Sequence, residues 1–368
     1  MLKRFEVENF KCFEKRFVFN LDARDYEFNK HLIRNGIVNK AIIYGKNGIG
    51  KSNLGIALFD IVSHLTDKKR IEPKYLINYC NLNYPEDPAI FVFHFQFDKN
   101  EVIYEYAKHS QDELVYEKLK INGKDELDYN YFDIKKQYIS EDLKANLNIS
   151  ISDNKLSVLK YIYRNTPTNT NPLLTKIFQF CENMLWYRSL SDGNNYSGFT
   201  NGGNTLTDIL FKNNKLEEFN SFLKKNGMDY NLKFENINGR EELLAVYHNN
   251  NKASFSSLAS TGTKALFLFY TWNISAFSKI SFLFIDEFDA FFHYESAENI
   301  VKELNNANGF QSVLTTHNTY LMKNELTRPD CCFIMTPGKI TSLCDATDKE
   351  IREGHNLEKM YVNGAFQE

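Results

Sequence analysis

Gly45-Lys46-Asn47-Gly48-Ile49-Gly50-Lys51-Ser52 fits the pattern G-x-x-x-x-G-K-S, and its reading decides the fold. An apolar, strand-like run (Lys40-Ala41-Ile42-Ile43-Tyr44) precedes it, and residues 53–65 continue with helical apolar periodicity. That is the strand–loop–helix unit in which such a loop cradles phosphate. The glycines let successive backbone N–H groups turn inward around a polyphosphate, and the helix N-terminus adds positive potential. Lys51 is expected to reach the outer phosphates of ATP, and the Ser52 hydroxyl to ligate the accompanying Mg²⁺. Nucleotide contacts are thus expected along Gly45, Lys46, Asn47, Gly48, Ile49, Gly50, Lys51, Ser52 and Asn53. An ordinary glycine-rich turn would not need the flanking strand and helix.

Working outward, Ser281-Phe282-Leu283-Phe284-Ile285-Asp286-Glu287 is an apolar strand ending in two carboxylates. A buried parallel strand has this composition, and ligands sit at its carboxyl end. Asp286 is expected to hold Mg²⁺, and Glu287 to act as general base on the attacking water. Taken alone, the pair also suits a surface strand end; the upstream loop favours the catalytic reading. Ser256-Ser257-Leu258-Ala259-Ser260-Thr261-Gly262-Thr263-Lys264 opens a helix about twenty residues before the acids. Its Ser-x-Gly offers a hydroxyl and free N–H groups, which suit either a second anion site or a plain N-cap. Ser312-Val313-Leu314-Thr315-Thr316-His317 is a short apolar strand whose terminal His317 is a candidate γ-phosphate contact, or a structural histidine.

Loop, Ser-x-Gly helix, Asp-Glu strand and His strand follow one another in the order found in ATP-binding-cassette ATPases. On these residues the chain resembles that superfamily, in its RecF/SMC/OLD-like branch rather than among transporters. Glu8-Asn9-Phe10-Lys11-Cys12-Phe13 is similar to the N-terminal hairpin of that branch, and Ala259-Ser260-Thr261-Gly262-Thr263 to a degenerate Leu-Ser-Gly-Gly-Gln signature. The resemblance implies an α/β P-loop NTPase with an ABC-ATPase-like mixed sheet, an N-terminal antiparallel β subdomain and an inserted, partly helical lobe. It also implies two copies sandwiching two ATP molecules, with Ser260, Thr261 and Gly262 of one facing the γ-phosphate held by Lys51 of the other. Asp286 to His293 resembles the short acidic motif of small AAA-type ATPases from abortive-infection and phage-defence operons. Gly354-His355-Asn356-Leu357-Glu358-Lys359-Met360-Tyr361, with Gly364-Ala365-Phe366, is similar to the tail of the RloA/AbiL-like group. Ala259, Thr261 and Thr263 depart from the signature, and His293 stands where transporters carry an interface Asp. Gln96 is weighed as a Q-loop glutamine against a solvent-facing strand residue.

The remainder of the chain sets the bounds. Its 368 residues suit one large α/β core with an insertion. We read 1–110 as the first part of the core, 111–250 as the inserted lobe and 251–368 as the second part. The first twenty residues read as a hairpin, a second strand pair is expected at 90–97 and 102–106, and helices at 173–185, 205–225 and 348–362. Loops are expected at 165–172 and 193–204. A net charge of −3 gives no field favouring nucleic acid or anionic membranes, and Lys68-Lys69-Arg70 and Lys224-Lys225 read as solvated faces. The six cysteines include no C-x-x-C pair, so neither zinc nor redox chemistry is indicated. Without an apolar h-region or a spanning segment, a soluble protein of the reducing cytoplasm is expected. The expected function is a Mg²⁺-dependent ATPase, a sensor or regulatory subunit of an anti-phage abortive-infection system, dimerising on ATP and working with a separate nuclease or toxin. An OLD-type C-terminal nuclease domain is not expected. The alternative is a RecF-like repair or chromosome-maintenance ATPase gripping duplex DNA.

Overall fold

Lys40–Tyr44 is a fully buried strand in a seven-stranded sheet. Across that sheet lie Tyr196–Gly198, Met184–Arg188, Phe282–Asp286, Gln311–Thr316, Lys40–Tyr44, Cys332–Thr336 and Lys339–Ser342. The inner five run parallel, and each outermost strand pairs antiparallel with its neighbour. Successive side chains point to opposite faces, and both faces are covered. Ala41, Ile43, Phe282, Phe284 and Val313 enter one core; Ile42, Tyr44, Leu283, Ile285 and Leu314 enter the other. The computed structural model describes residues 1–366 except 145, 146, 148, 150, 152, 168, 190–194 and 201.

A second seven-stranded sheet is antiparallel throughout, in the order Gln137–Ile139, Lys124–Asn130, Glu113–Ile121, Asn100–Ser110, Ala89–Phe97, Leu2–Glu8 and Phe17–Asn20. Its apolar face shares the first core with the helix Lys51–Leu65, which is therefore buried along nearly its whole length between the two sheets. The helices Thr261–Ala276 and Tyr294–Asn306 cover the other face of the parallel sheet. Among the described residues, no helix is long and apolar enough to cross a membrane.

The stretch 111–250 does not form one lobe. Glu113–Ile121, Lys124–Asn130 and Gln137–Ile139 extend the antiparallel sheet, whereas Met184–Arg188 and Tyr196–Gly198 enter the parallel one. Only Leu206–Lys212, Leu216–Lys225 and a three-stranded sheet running from Leu232 to Ser254 stand apart, over the second core. The strand Glu113–Ile121 is hard to recognise because its inward face carries Glu117. That carboxylate accepts from the hydroxyls of Tyr104 (2.8 Å), Ser157 (2.8 Å) and Tyr131, and from the Val158 amide (2.8 Å). A buried acid is tolerated when so fully hydrogen-bonded.

Three expected helices also change. The run expected as one helix at 173–185 divides into the helix Pro172–Glu182 and the strand Met184–Arg188; 205–225 is two helices; and 348–362 shortens to Leu357–Val362. Of the expected loops, Thr168, Gly193, Asn194 and Asn201 lie outside the described residues.

Candidate functional site

Residues 45–50 carry the chain from the buried strand into the helix Lys51–Leu65. Gly50, the helix N-cap, has φ 106°, and a Cβ there would lie 2.5 Å from Cys12 Sγ. Only glycine meets both constraints. The Lys51 ammonium folds back into the loop, donating to Gly45 O at 2.8 Å and Lys46 O at 2.9 Å, with His317 Nε2 3.2 Å away. Burial lowers its pKa, against the opposing pull of Asp286, Glu287 and Asp289. Asn53 Nδ2 donates to Cys12 Sγ at 3.1 Å, so the tip of the N-terminal hairpin closes over the loop. Phe10 and Phe13 anchor that tip in the first core.

Asp286 ends its strand with no exposed surface. One carboxylate oxygen accepts from Thr315 Oγ1 at 2.8 Å, whereas Oδ2 is buried without a hydrogen-bond donor. Burial raises the Asp286 pKa, and the hydroxyls of Ser52 and Thr315 oppose that rise. Ser52, Asn53, Arg188 and Asp286 line a cleft of about 240 Å³, together with Lys11 and Lys74. The residues fit a hard divalent cation, because one fixed carboxylate faces a hydroxyl and its second oxygen has no hydrogen bond of its own. Among the described residues no cluster of three His, Cys, Asp or Glu side chains could hold a metal alone. A Mg²⁺ that is bound through one carboxylate and substrate phosphates does not require such a cluster.

Glu287 has φ 49°, a left-handed conformation costly for a residue with a side chain. Thr315 holds it there, its Oγ1 accepting from the Glu287 amide at 2.7 Å while donating to Asp286. The Glu287 carboxylate is not open to solvent water alone: Arg188 Nη2 lies 2.7 Å from Oε2. His317 is exposed beside Lys51, and Asp289 accepts from Thr316 Oγ1 at 2.7 Å.

Lys51, Ser52, Asp286, Glu287 and His317 are thus brought together at the carboxyl ends of three neighbouring central strands of the parallel sheet. Ser260, Thr261 and Gly262 are not among the residues lining the cleft. Ser260 caps its own helix, accepting from the Thr263 amide at 3.1 Å, and is exposed with Thr261. Gly262 sits under the loop after the acidic pair, where a Cβ would lie 2.7 Å from Phe291 O. His293 is the exposed N-cap of Tyr294–Asn306. Gln96 lies on the strand Ala89–Phe97 with its amide on Asp98 O at 2.9 Å, and does not line the cleft.

Sequence reasoning missed Arg188 and Thr315. Arg188 lay beyond a run that reads equally well as helix, and Thr315 was quoted only as part of the strand ending in His317. The alternation of Met184, Trp186 and Arg188 on one face was the available signal for the former.

The profile of the family described as "AAA domain, putative AbiEii toxin, Type IV TA system" matches residues 40–323. No curated protein matches the chain. Among solved structures, the SMC head domain from Thermotoga maritima is 16% identical with a TM-score of 0.41, covering 93% of this chain and 98% of that one. The SmcHead bound to the C-winged helix domain of ScpA is 15% identical at TM-score 0.44, covering 93% and 97%. An Smc head domain with an extended coiled coil, bound to the C-terminal domain of ScpA and derived from Pyrococcus furiosus, is 13% identical at TM-score 0.45, covering 93% and 96%.

Proposed function

The chain belongs to the AAA domain family whose profile spans its residues 40–323, and from that premise we propose that it hydrolyses ATP with Mg²⁺ to ADP and phosphate. One observation carries the reading: Asp286, whose Oδ2 makes no hydrogen bond, shares a cleft with Ser52, the residue after the Lys51 that is curled into the phosphate loop. On binding, Lys51 exchanges the carbonyls of Gly45 and Lys46 for the outer phosphates, a stronger, charge-assisted pairing. Ser52 and Asp286 would hold a Mg²⁺, which would neutralise charge on the phosphates. Glu287 takes a proton from the water as its oxygen bonds to the γ-phosphorus and the bond to ADP breaks. His317, beside Lys51, hydrogen-bonds the γ-phosphate.

Ser260, Thr261 and Gly262 complete the site in a second copy, so ATP would drive dimerisation. The family description mentions a toxin and a type IV toxin–antitoxin system. We read the chain as a regulatory component of abortive infection, with the damaging activity in a separate effector polypeptide; the family description supports only the wider setting of a toxin–antitoxin or abortive-infection system. The test compares wild type with Lys51→Ala for binding of a fluorescent ATP analogue and for phosphate release with and without Mg²⁺. Loss of both in the variant is expected; hydrolysis at the wild-type rate would overturn the assignment.

A further inference from the structure

Arg188 is absent from the mechanism just described, yet it forms ion pairs with both acids. It ends the strand Met184–Arg188, in register with Asp286 on the neighbouring parallel strand. Trp186, two residues earlier, packs in the same core as the helix Lys51–Leu65, so Arg188 projects toward the phosphate-loop side of the sheet. There it lines the cleft with Ser52 and Asp286. Its guanidinium contacts Glu287 Oε2 through both Nη2 (2.7 Å) and Nε (3.2 Å), and Nε forms an ion pair with Asp286 Oδ2 at 3.5 Å. Its side chain keeps 26% of its surface exposed, so it remains accessible from the cleft.

This arrangement has a chemical consequence. Glu287 Oε2 is engaged by two guanidinium N–H donors rather than by a water. The terminal phosphate of a triphosphate offers the same planar fork more oxygens and more negative charge than a carboxylate does. A diphosphate lacks that group.

We propose that Arg188 is a residue by which this chain tells a triphosphate from a diphosphate. It restrains Glu287 while the terminal phosphate is missing, and transfers to that phosphate's oxygens when it arrives. Transfer also frees Glu287 Oε2 to accept a hydrogen bond from a water. The inference rests on the ATPase reading of the site.

The test measures dissociation constants of a non-hydrolysable ATP analogue and of ADP, by fluorescence competition with the full chain. Wild type, Arg188→Lys and Arg188→Gln are compared. Lysine keeps the positive charge beside the two acids, so folding is preserved, but it cannot present two donors in one plane. Wild type is expected to favour the triphosphate analogue by about tenfold or more, the range of one charge-assisted hydrogen bond. Both variants should lower that ratio by about tenfold, with ADP affinity unchanged. An unchanged ratio, or an equal fall in both affinities, would overturn the proposal. Lys51→Ala, measured alongside, separates the two failures. If it loses both nucleotides while the Arg188 variants keep the wild-type ratio, only the role of Arg188 falls. If it binds both like wild type, the site assignment itself is wrong.

Discussion

Replacing Lys40 with methionine should make the protein more stable, and by an amount that depends on pH. Lys40 opens the phosphate-loop strand with 4% of its surface exposed. Its ammonium donates to Phe310 O at 3.1 Å and lies 3.9 Å from the centre of the Phe310 ring. Burial pushes its pKa from 10.5 down to about 7. Between those values the unfolded chain holds a proton on Lys40 that the folded chain has released. Stability therefore rises with pH across this window, and the cost of burying the amine is greatest at its lower end. At about 1.4 kcal/mol per pH unit, wild type should gain roughly 2 kcal/mol relative to Lys40→Met between about pH 7 and pH 9. At about pH 7 the full cost is roughly 4 kcal/mol, from which the lost hydrogen bond and ring contact subtract about 1–2. The variant should then be ahead by roughly 2–3 kcal/mol. Urea unfolding of both proteins, followed by tryptophan fluorescence at several pH values, reads the difference directly, and other titrating groups cancel between them. A difference that stays flat across the window would mean that the buried amine keeps its proton, and would refute the reasoning.

Glu287→Gln should retain ATP but lower turnover by about a hundredfold or more, and should accumulate a dimer on gel filtration; a monomer with normal turnover contradicts the base role. Ser260→Arg should leave nucleotide binding by a single chain intact while removing the dependence of turnover on protein concentration, and turnover that keeps that dependence excludes a composite site. Lys108→Met strips the buried Asp60 of its partner at 2.8 Å, both side chains being at most 2% exposed. The Asp60 charge is then left with only the hydroxyls of Tyr79 and Tyr106, so stability should fall by about 3–5 kcal/mol; an unchanged urea midpoint would show that those hydroxyls suffice.

Much of the site was legible because its chemistry is written in contiguous residues. The phosphate loop needs glycine at set spacings and a lysine one step into a helix, and all of this lies within eight positions. Asp286 and Glu287 could be read from an apolar run that stops at two acids, as could His317 from its own short strand. The limits appeared where the usual apolar alternation was broken. Glu117 on the inward face disguised a strand as surface, and an apolar stretch from 173 onward hid the change from Pro172–Glu182 to Met184–Arg188.

The amino-acid sequence alone determined the phosphate-loop motif, the strands that carry the acids and the histidine, and an α/β architecture. These follow from local spacing, which fixes backbone conformation and the direction of each side chain within a few residues. The tertiary structure alone decided that Arg188 stands on Glu287, that Thr315 holds both acids, that Cys12 roofs the loop at Gly50, and that Ser260 remains outside the cleft. Each of these pairings joins segments far apart in the chain, and each depends on which strands become neighbours and in what register. Register is set by burying two opposite faces of one sheet at once, a condition on the whole chain that no short window of residues contains.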